Sequence, residues 1–512
     1  MKIKPNFIGL LFAVFFLLAA CPGHNNVINN DSPDGRLASA PVLSHNSGLH
    51  AAPFYLTMTV SEGSVIYFST DGSIPSPASA GNGFVFRYTD PIFIESRHGQ
   101  PNVLATPENS EQFYICPDDP IGVVPWIFIP SDNAVTKATV IRTIAVDTGG
   151  RKSRVLTRTF FIGNDLERWD DDIRVVSIVT DPRNLVGEQI GIMVRGQPGN
   201  TWFGHGAYGV WGDPRNREGM YNFRMRGRAY WERPAHLEIF EGGGRSGSVL
   251  SAGVGIRIRG GWTRAYPQKS LNVLFREEYE PGLNVLTNFP LIPGAVQADG
   301  RPVQRYKSFM LRNGGNDWSG TKFNDVFIQD LLRDRSFTTQ RTIPAILYLN
   351  GEFWGPYNFS ERYSDWHIEF RYDVHRNNVI MIEVQHNNPL INQGTQADLQ
   401  SFQQMKDMRH LDMSKPVNFQ AFLEVFCIDS FIDYWAAQIF ILNTDWPHNN
   451  YHLWRARTPV PGNIYGDGRW RYQMHDTDHG LGRFTGGNIT HDPFYRLLAL
   501  CSKVTDTVAK SK

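Results

Sequence analysis

The chain carries no surplus of either charge: Lys+Arg and Asp+Glu each number 50 in 512 residues. Without a net positive field to gather phosphate backbones or anionic headgroups, nucleic acid is excluded as an expected partner, and so is electrostatic adhesion to a membrane. Cysteine is scarce, with four residues at Cys21, Cys116, Cys427 and Cys501. Three would remain once Cys21 is set aside, odd in number and widely spaced, so they do not imply a disulfide framework. Cys427, inside an apolar helix-like run, reads as a core residue. Beyond the N-terminal segment no apolar run is long enough to cross a bilayer. What is plentiful points to strands and loops rather than a helical bundle: 13% aromatic residues, 47 Gly and 31 Pro. The length implies two or three domains.

Lys2 and Lys4 precede an apolar run from Phe7 to Ala20 that is short for a bilayer and ends in small residues. Leu18-Ala19-Ala20-Cys21 resembles the bacterial lipoprotein signal. That resemblance implies a leader over 1–21, lipidation of Cys21, and export to the periplasm or cell surface, with the lipid as the membrane contact. Residues 22–40, rich in Asn, Asp and Gly, read as a flexible tether.

From 41 to 163 short alternating runs such as Ser64–Ser69, Ala138–Val146 and Arg154–Phe160 are broken by turn residues, the pattern of a β-sandwich. Tyr67-Phe68-Ser69-Thr70-Asp71-Gly72-Ser73-Ile74-Pro75 resembles the signature of the immunoglobulin-like domain at the C-terminus of chitobiases and hexosaminidases. The resemblance implies a spacer or adhesive module, with glycan contact as its expected partner chemistry. An insertion over roughly 96–132 carries little pattern.

The remainder, 164–512, opens with a strand-like run, Ile173–Val179. Alternation on both sides of Gly260-Gly261 predicts a hairpin with Lys269 on its returning strand. Phe323–Arg333 reads as a helix, with Asp330 a candidate partner for Lys269. Asn350-Gly351 between two apolar runs predicts a second hairpin, with Glu361 just beyond it. Asn418–Leu442 has a broad apolar stripe and reads as a buried helix broken near Asp429.

That helix leads into the densest chemistry in the chain. Asp445 is followed by Asn450, and a predicted hairpin then joins them to Asp476 and Asp478. Phosphoryl transfer needs a carboxylate to take the proton of the attacking hydroxyl, an amide oxygen on a metal ion, and a carboxylate bridging that ion to the phosphates. Asp445, Asn450 and Asp476 meet those needs in order, with Asp478 the alternative to Asp476. His448, His452, His475 and His479 crowd the same stretch, so a dinuclear hydrolase site is the rival chemistry.

Five ordered blocks resemble the CotH family of spore-coat-H-like atypical protein kinases: IRIRGGWTRAYPQKSLNV, KSFMLRNGGND, LYLNGEFWGPYNFSERY, Asn443–Arg455 and Met474–Gly482. Gln268, Gly261-Trp262 and His475 depart from the family pattern. The resemblance implies an α+β, two-lobed kinase-like domain after an all-β immunoglobulin-like sandwich. It further implies ATP with Mg2+ or Mn2+ as cofactor, with Lys269, Arg259, Arg264 and Glu361 toward the nucleotide and Asn450, Asp476 and Asp478 toward the metal. The expected activity is Ser/Thr phosphorylation of an envelope or surface protein. The alternative is a catalytically silent adhesin or binding module, as fungal relatives act as surface invasins. The polar segment ending at Lys512 is shorter than the family's usual continuation, so a truncated C-terminus is expected.

Overall fold

The computed structural model describes residues 37–106, 130–163, 169–187, 190–194, 232–260, 263, 266–385 and 387–483. The expectations for Cys21, the leader, most of the tether, Arg264, Gly261-Trp262 and the C-terminal segment lie outside the described residues.

The first unit comprises β1 (Val42–Leu43), β2 (Gly48–His50), β3 (Phe54–Leu56), β4 (Met58–Thr59), β5 (Val65–Ser69), β6 (Val85–Arg87), β7 (Ile92–Ile94), β8 (Thr139–Val146) and β9 (Leu156–Ile162). They form a five-stranded sheet in the order β2-β9-β8-β5-β6 and two strand pairs, β1-β4 and β3-β7. Alternate residues, among them Ile66, Phe68, Ile141, Phe160 and Ile162, turn inward to a core shared with Leu56, Met58 and Ile94. The Asp71-Gly72 turn forms as its residues dictate. The Asp71 carboxylate accepts from the Ser73 backbone N–H (2.9 Å) and hydroxyl (2.6 Å). A Cβ on Gly72 would sit 2.6 Å from the Thr180 carbonyl oxygen, so only glycine lets the turn approach its neighbour.

The second unit is a closed barrel built from β10 (Arg174–Val179), β11 (Arg233–Phe240), β12 (Ser248–Arg259), β13 (Ser270–Leu274), β14 (Ser308–Arg312), β15 (Thr342–Leu349) and β16 (Glu352–Glu361). Its order is β10-β11-β12-β13-β14-β16-β15, and parallel pairing of β10 with β15 closes it. Period-two alternation sends Ile256, Ile258, Leu271, Val273, Phe309, Leu311 and Phe359 to the interior, where Phe309 and Phe359 stack at 4.3 Å. Most of the intervening positions are polar: Arg257, Arg259, Ser270, Asn272, Ser308, Arg312, Asn358 and Ser360 occupy the outer face of the same strands, with Met310 among them.

β10 is buried along its whole length because it serves two cores. Val176 and Ile178 fill the barrel, while Val175 packs with Ala138, Phe161, Phe240, Ile346 and Tyr348 between the barrel and the first unit. The predicted Asn350-Gly351 hairpin joins β15 to β16, with both turn residues at positive φ (45° and 82°). Asn350 then bonds across the junction: its Oδ1 accepts from Thr180 N–H (2.8 Å), and its Nδ2 donates to the Thr180 (2.8 Å) and Asp71 (3.1 Å) carbonyls. Gly351 O accepts from Ala138 N–H (2.7 Å). The buried Glu352 carboxylate accepts from the N–H groups of Val103, Leu104 and Ala105.

The third unit has β17 (Val379–Gln385), β18 (Asn388–Gln393), β19 (Tyr451–Ala456) and β20 (Arg471–Gln473) in the antiparallel order β18-β17-β19-β20. Helices Gln396–Asp407, Pro416–Val425 and Ile428–Phe440 cover it over a core that includes Phe402, Phe426, Tyr434, Leu453, Trp470 and Tyr472. The single broken helix expected over 418–442 is two helices. The break falls at Phe426-Cys427 because this segment pairs with Trp470, through Cys427 N to Trp470 O (3.0 Å) and Trp470 N to Val425 O (2.9 Å). Cys427 therefore precedes a helix, half-buried, instead of lying in the core. The helix predicted at Phe323–Arg333 spans Asn324–Leu331. No helix among the described residues is long and apolar enough to cross a membrane.

One carboxyl in the junction stands out. Glu238 on β11 is fully buried, and neither of its oxygens has a partner in hydrogen-bond geometry. Burial raises it to about 7 from 4.5, against the weaker opposing pull of the Ser47 and Thr159 groups that face it. The native state thus holds a proton that the unfolded chain releases, so stability falls as pH rises through this window. The total is about 3 kcal/mol. Glu238→Gln is expected to match the parent in thermal unfolding at pH 5 and to exceed it by several degrees at pH 8.

Candidate functional site

The helix Ile428–Phe440 delivers the loop that carries Asp445. Asn443 is buried and its Oδ1 accepts from Asp445 N–H (3.1 Å), which fixes the loop locally. Asp445 Oδ2 accepts from the amides of Asn449 (3.0 Å) and Asn450 (2.6 Å), while His448 Nε2 lies 3.6 Å from Oδ1. Asn450 adopts positive φ (54°), which asparagine tolerates better than most residues and which turns the chain into β19. The predicted hairpin follows: β19 pairs with β20 through His452 and Gln473, and the chain then reaches Asp476 and Asp478.

At that end the Arg312 guanidinium, on the barrel's outer face, contacts Asp325, Asp476 and Asp478 together. Asp325 Oδ1 also accepts from the Thr477 N–H and hydroxyl, both at 2.7 Å. Asp478 Oδ2 accepts from Asn316 N–H (2.7 Å), while its Oδ1 is buried without a partner. A Cβ on Gly315 would meet Asp478 Oδ2 at 2.0 Å, so this approach requires glycine. Burial, and then the neighbouring Asp476, push the Asp478 carboxyl well above the usual range. Burial disfavours the charge on Arg312, but the three carboxylates more than offset it and raise its pKa. Three acids around one cation leave excess negative charge and an orphan oxygen, a combination that a second cation would relieve.

The two loops are laced together. Thr444 N–H donates to His479 O (3.5 Å), Leu481 N–H to Ile441 O (2.6 Å), and Asn324 Nδ2 to Asp478 O (3.2 Å). Asp445 and Asp478 thus each lie next to a residue of the same Thr444–His479 contact.

The barrel contributes arginine. Burial lowers the Arg259 pKa, opposed by the charges of Glu383 and Asp476. Burial, with repulsion from Arg257 and Arg259, brings Arg362 down to about 9. Lys269 is 1% exposed; its Nζ donates to Tyr266 O (3.2 Å), and Tyr357 OH donates to Lys269 O (3.0 Å). Asp330, expected as a partner for Lys269, pairs instead with Arg333 (3.2 Å) and Arg341 (2.6 Å), because its helix turns it to the surface. Glu361 is buried beside Arg371 (3.0 Å), His367 (3.4 Å) and the Arg341 N–H (2.8 Å). Burial opposes its ionisation, yet Arg371 and His367 hold it at about 2. Its oxygens are therefore committed to a structural ion pair at the end of β16.

The four histidines do not form one dinuclear cluster. His448 stands by Asp445, and His479 bonds Asn316 (2.9 Å), while His452 and His475 stack on each other with ring centroids 4.2 Å apart. Their acidic neighbour is Glu383, which sequence reasoning passed over, as it did Arg312 and Asp325. A charged residue inside the apolar run Val379-Ile380-Met381-Ile382-Glu383-Val384 was the available signal, since buried charges are rare without partners.

Residues 256–507 match the family model described as CotH kinase protein, and residues 55–160 match the one described as Fn3 associated. No curated protein matches the chain. Residues 256–507 are thus CotH-like, and an N-terminal β unit lies ahead of them. The match over 55–160 falls within the β unit whose turn signature resembles the chitobiase-type domain.

Replacing Arg312 by Met leaves Asp325 and Asp478 buried without their counter-charge. The expected loss is about 3–5 kcal/mol in urea unfolding at pH 7, against little change for Asp330→Ala at the surface.

Proposed function

We propose that the CotH-like domain is an atypical protein kinase that transfers phosphate from ATP to Ser or Thr of an envelope or surface protein. The observation that carries this reading is the hairpin β19–β20, whose antiparallel pairing brings the amide-bonded Asp445, ahead of β19, to the same end as Asp476 and Asp478, beyond β20, in loops that hydrogen-bond to each other. A nucleotide-bound Mg2+ or Mn2+ suits the acidic end, where Asp478 Oδ1 is buried without a partner. Asn450, Asp476 and Asp478 would hold the ion, which supplies positive charge to the phosphate oxygens.

The chain's own residues do the rest. The Asn449 and Asn450 amides fix one oxygen of Asp445. The other oxygen is the acceptor for the proton of the attacking hydroxyl. Arg259, near Asp476 and Glu383, offers a guanidinium to an anionic ligand, and Lys269 and Arg264 complete the nucleotide contacts in this reading. The leader over 1–21 would export the protein and lipidation at Cys21 would anchor it, with the lipid its membrane contact and the N-terminal unit available to touch glycan.

A second reading is a silent binding module. It is favoured by Arg312, whose guanidinium already engages both Asp476 and Asp478. Incubation with radiolabelled ATP and Mg2+ or Mn2+ separates the two. Phosphate transfer is expected from the parent, falling by about 100-fold or more in Asp445→Asn and Asp476→Ala. Equal transfer by all three proteins, or none by any, overturns the kinase reading.

A further inference from the structure

Beside the aspartates lies a second constellation that phosphoryl transfer does not use. Antiparallel pairing puts Glu383 of β17 directly opposite His452 of β19, and His452 opposite Gln473 of β20. His475 is two residues beyond Gln473, so the two-residue period of an extended chain returns it to the same face. Two paired strand positions and the segment just beyond β20 thereby bring a carboxylate and two imidazoles together. One ligating atom from each of Glu383, His452 and His475 lies within 4.8 Å of the others.

These groups are poorly satisfied by protein alone. His452 is 4% exposed, and neither of its ring nitrogens has a hydrogen-bond partner. His475 Nδ1 and both amide atoms of Gln473 are buried and equally unpartnered. His452 Nε2 stops 3.6 Å from Glu383 Oε1. A direct charge-assisted bond would close to about 2.8 Å. Two ligands of a tetrahedral ion, each at about 2.1 Å, stand roughly 3.4 Å apart. The observed gap is the second kind. Glu383 is oriented from behind as ligating carboxylates commonly are, with Gln385 donating to Oε1 and Asn392 to Oε2 (2.8 Å).

We propose that Glu383, His452 and His475 bind one divalent first-row transition-metal ion, with zinc the best fit. Two imidazoles and a carboxylate suit zinc, iron or manganese, whereas Mg2+ prefers an all-oxygen shell. Structural zinc sites are closed by four protein ligands; three leave a position open to water or an anionic oxygen. Arg259, whose charge is felt by Glu383, adds to the positive charge of a bound ion and so favours an anion there. This site stands apart from the kinase reading, since neither Asp445, Asp476 nor Asp478 is among its ligands.

The test is metal uptake by the full chain, purified without a polyhistidine tag, stripped with chelator and titrated with Zn2+ by calorimetry and with Co2+ by visible absorption. One equivalent is expected to bind in the presence of millimolar Mg2+, and Zn2+ is expected to raise the melting temperature. His475→Gln and His452→Gln should weaken binding by about 100-fold or more. His410→Gln, at an exposed position, and Asp476→Ala should leave it unchanged. Circular dichroism confirms that each variant is folded. If the parent takes up no stoichiometric Zn2+ or Co2+, the site is refuted whatever the variants do. Full-strength binding by a folded His475→Gln also refutes it, as does an equal loss in Asp476→Ala, which would assign the ion to the aspartates.

Discussion

The Arg312 guanidinium is the constraint on which the arrangement of barrel and third unit depends. It ends a barrel strand, yet it contacts an acid from the helix Asn324–Leu331 and two from the segment after β20. Two of the three acids are tied further to their own surroundings, Asp325 by Thr477 and Asp478 by Asn316, so those charge contacts cannot shift without breaking neutral hydrogen bonds. Burying such a group is justified energetically only when its geometry is nearly complete. Here it is complete except for the second oxygen of Asp478.

That exception belongs to a pattern. Around the junction of the barrel's outer face with the third unit, Asn272 Oδ1, Arg362 Nε, His452, Gln473, His475 Nδ1 and Asp478 Oδ1 are all buried without partners. Each unsatisfied group costs about 1–3 kcal/mol. The barrel interior is filled by apolar side chains such as Ile256, Ile258, Phe309 and Phe359. Stability is concentrated where the alternation points inward, and chemistry where it points outward. The same strands supply both because side chains on a strand alternate.

Much of this was legible in the residues. Asn350-Gly351 specified its hairpin through the positive φ both positions require, and the helix at Asn324–Leu331 followed from apolar spacing. The hairpin between Asn450 and Asp476 was also readable. Closure of the barrel was not, because it depends on parallel pairing of Arg174–Val179 with a strand far along the chain. A two-lobed kinase outline therefore gave no hint of a closed barrel. Arg312 and Glu383 were missed for a related reason: their roles arise from cross-strand register, and register is invisible to local pattern. The surface placement of Asp330 escaped notice because helical spacing fixes which residues share a face, not which face is turned to solvent.

The junction made by Asn350, Gly351 and Glu352 has a mechanical meaning. Backbone donors at Val103, Leu104, Ala105 and Ala138, and carbonyls at Asp71 and Thr180, hold the tip of one barrel hairpin on several sides. Bonds of this kind, spread along a strand end and loaded together, resist shear better than any one of them resists peeling. Tension applied to the N-terminal unit would be passed into β15 and β16, the strand pair that ends at Glu361, instead of being absorbed by a swivel. The first unit is therefore tied, through this hairpin tip, to the same strand pair that leads to Glu361.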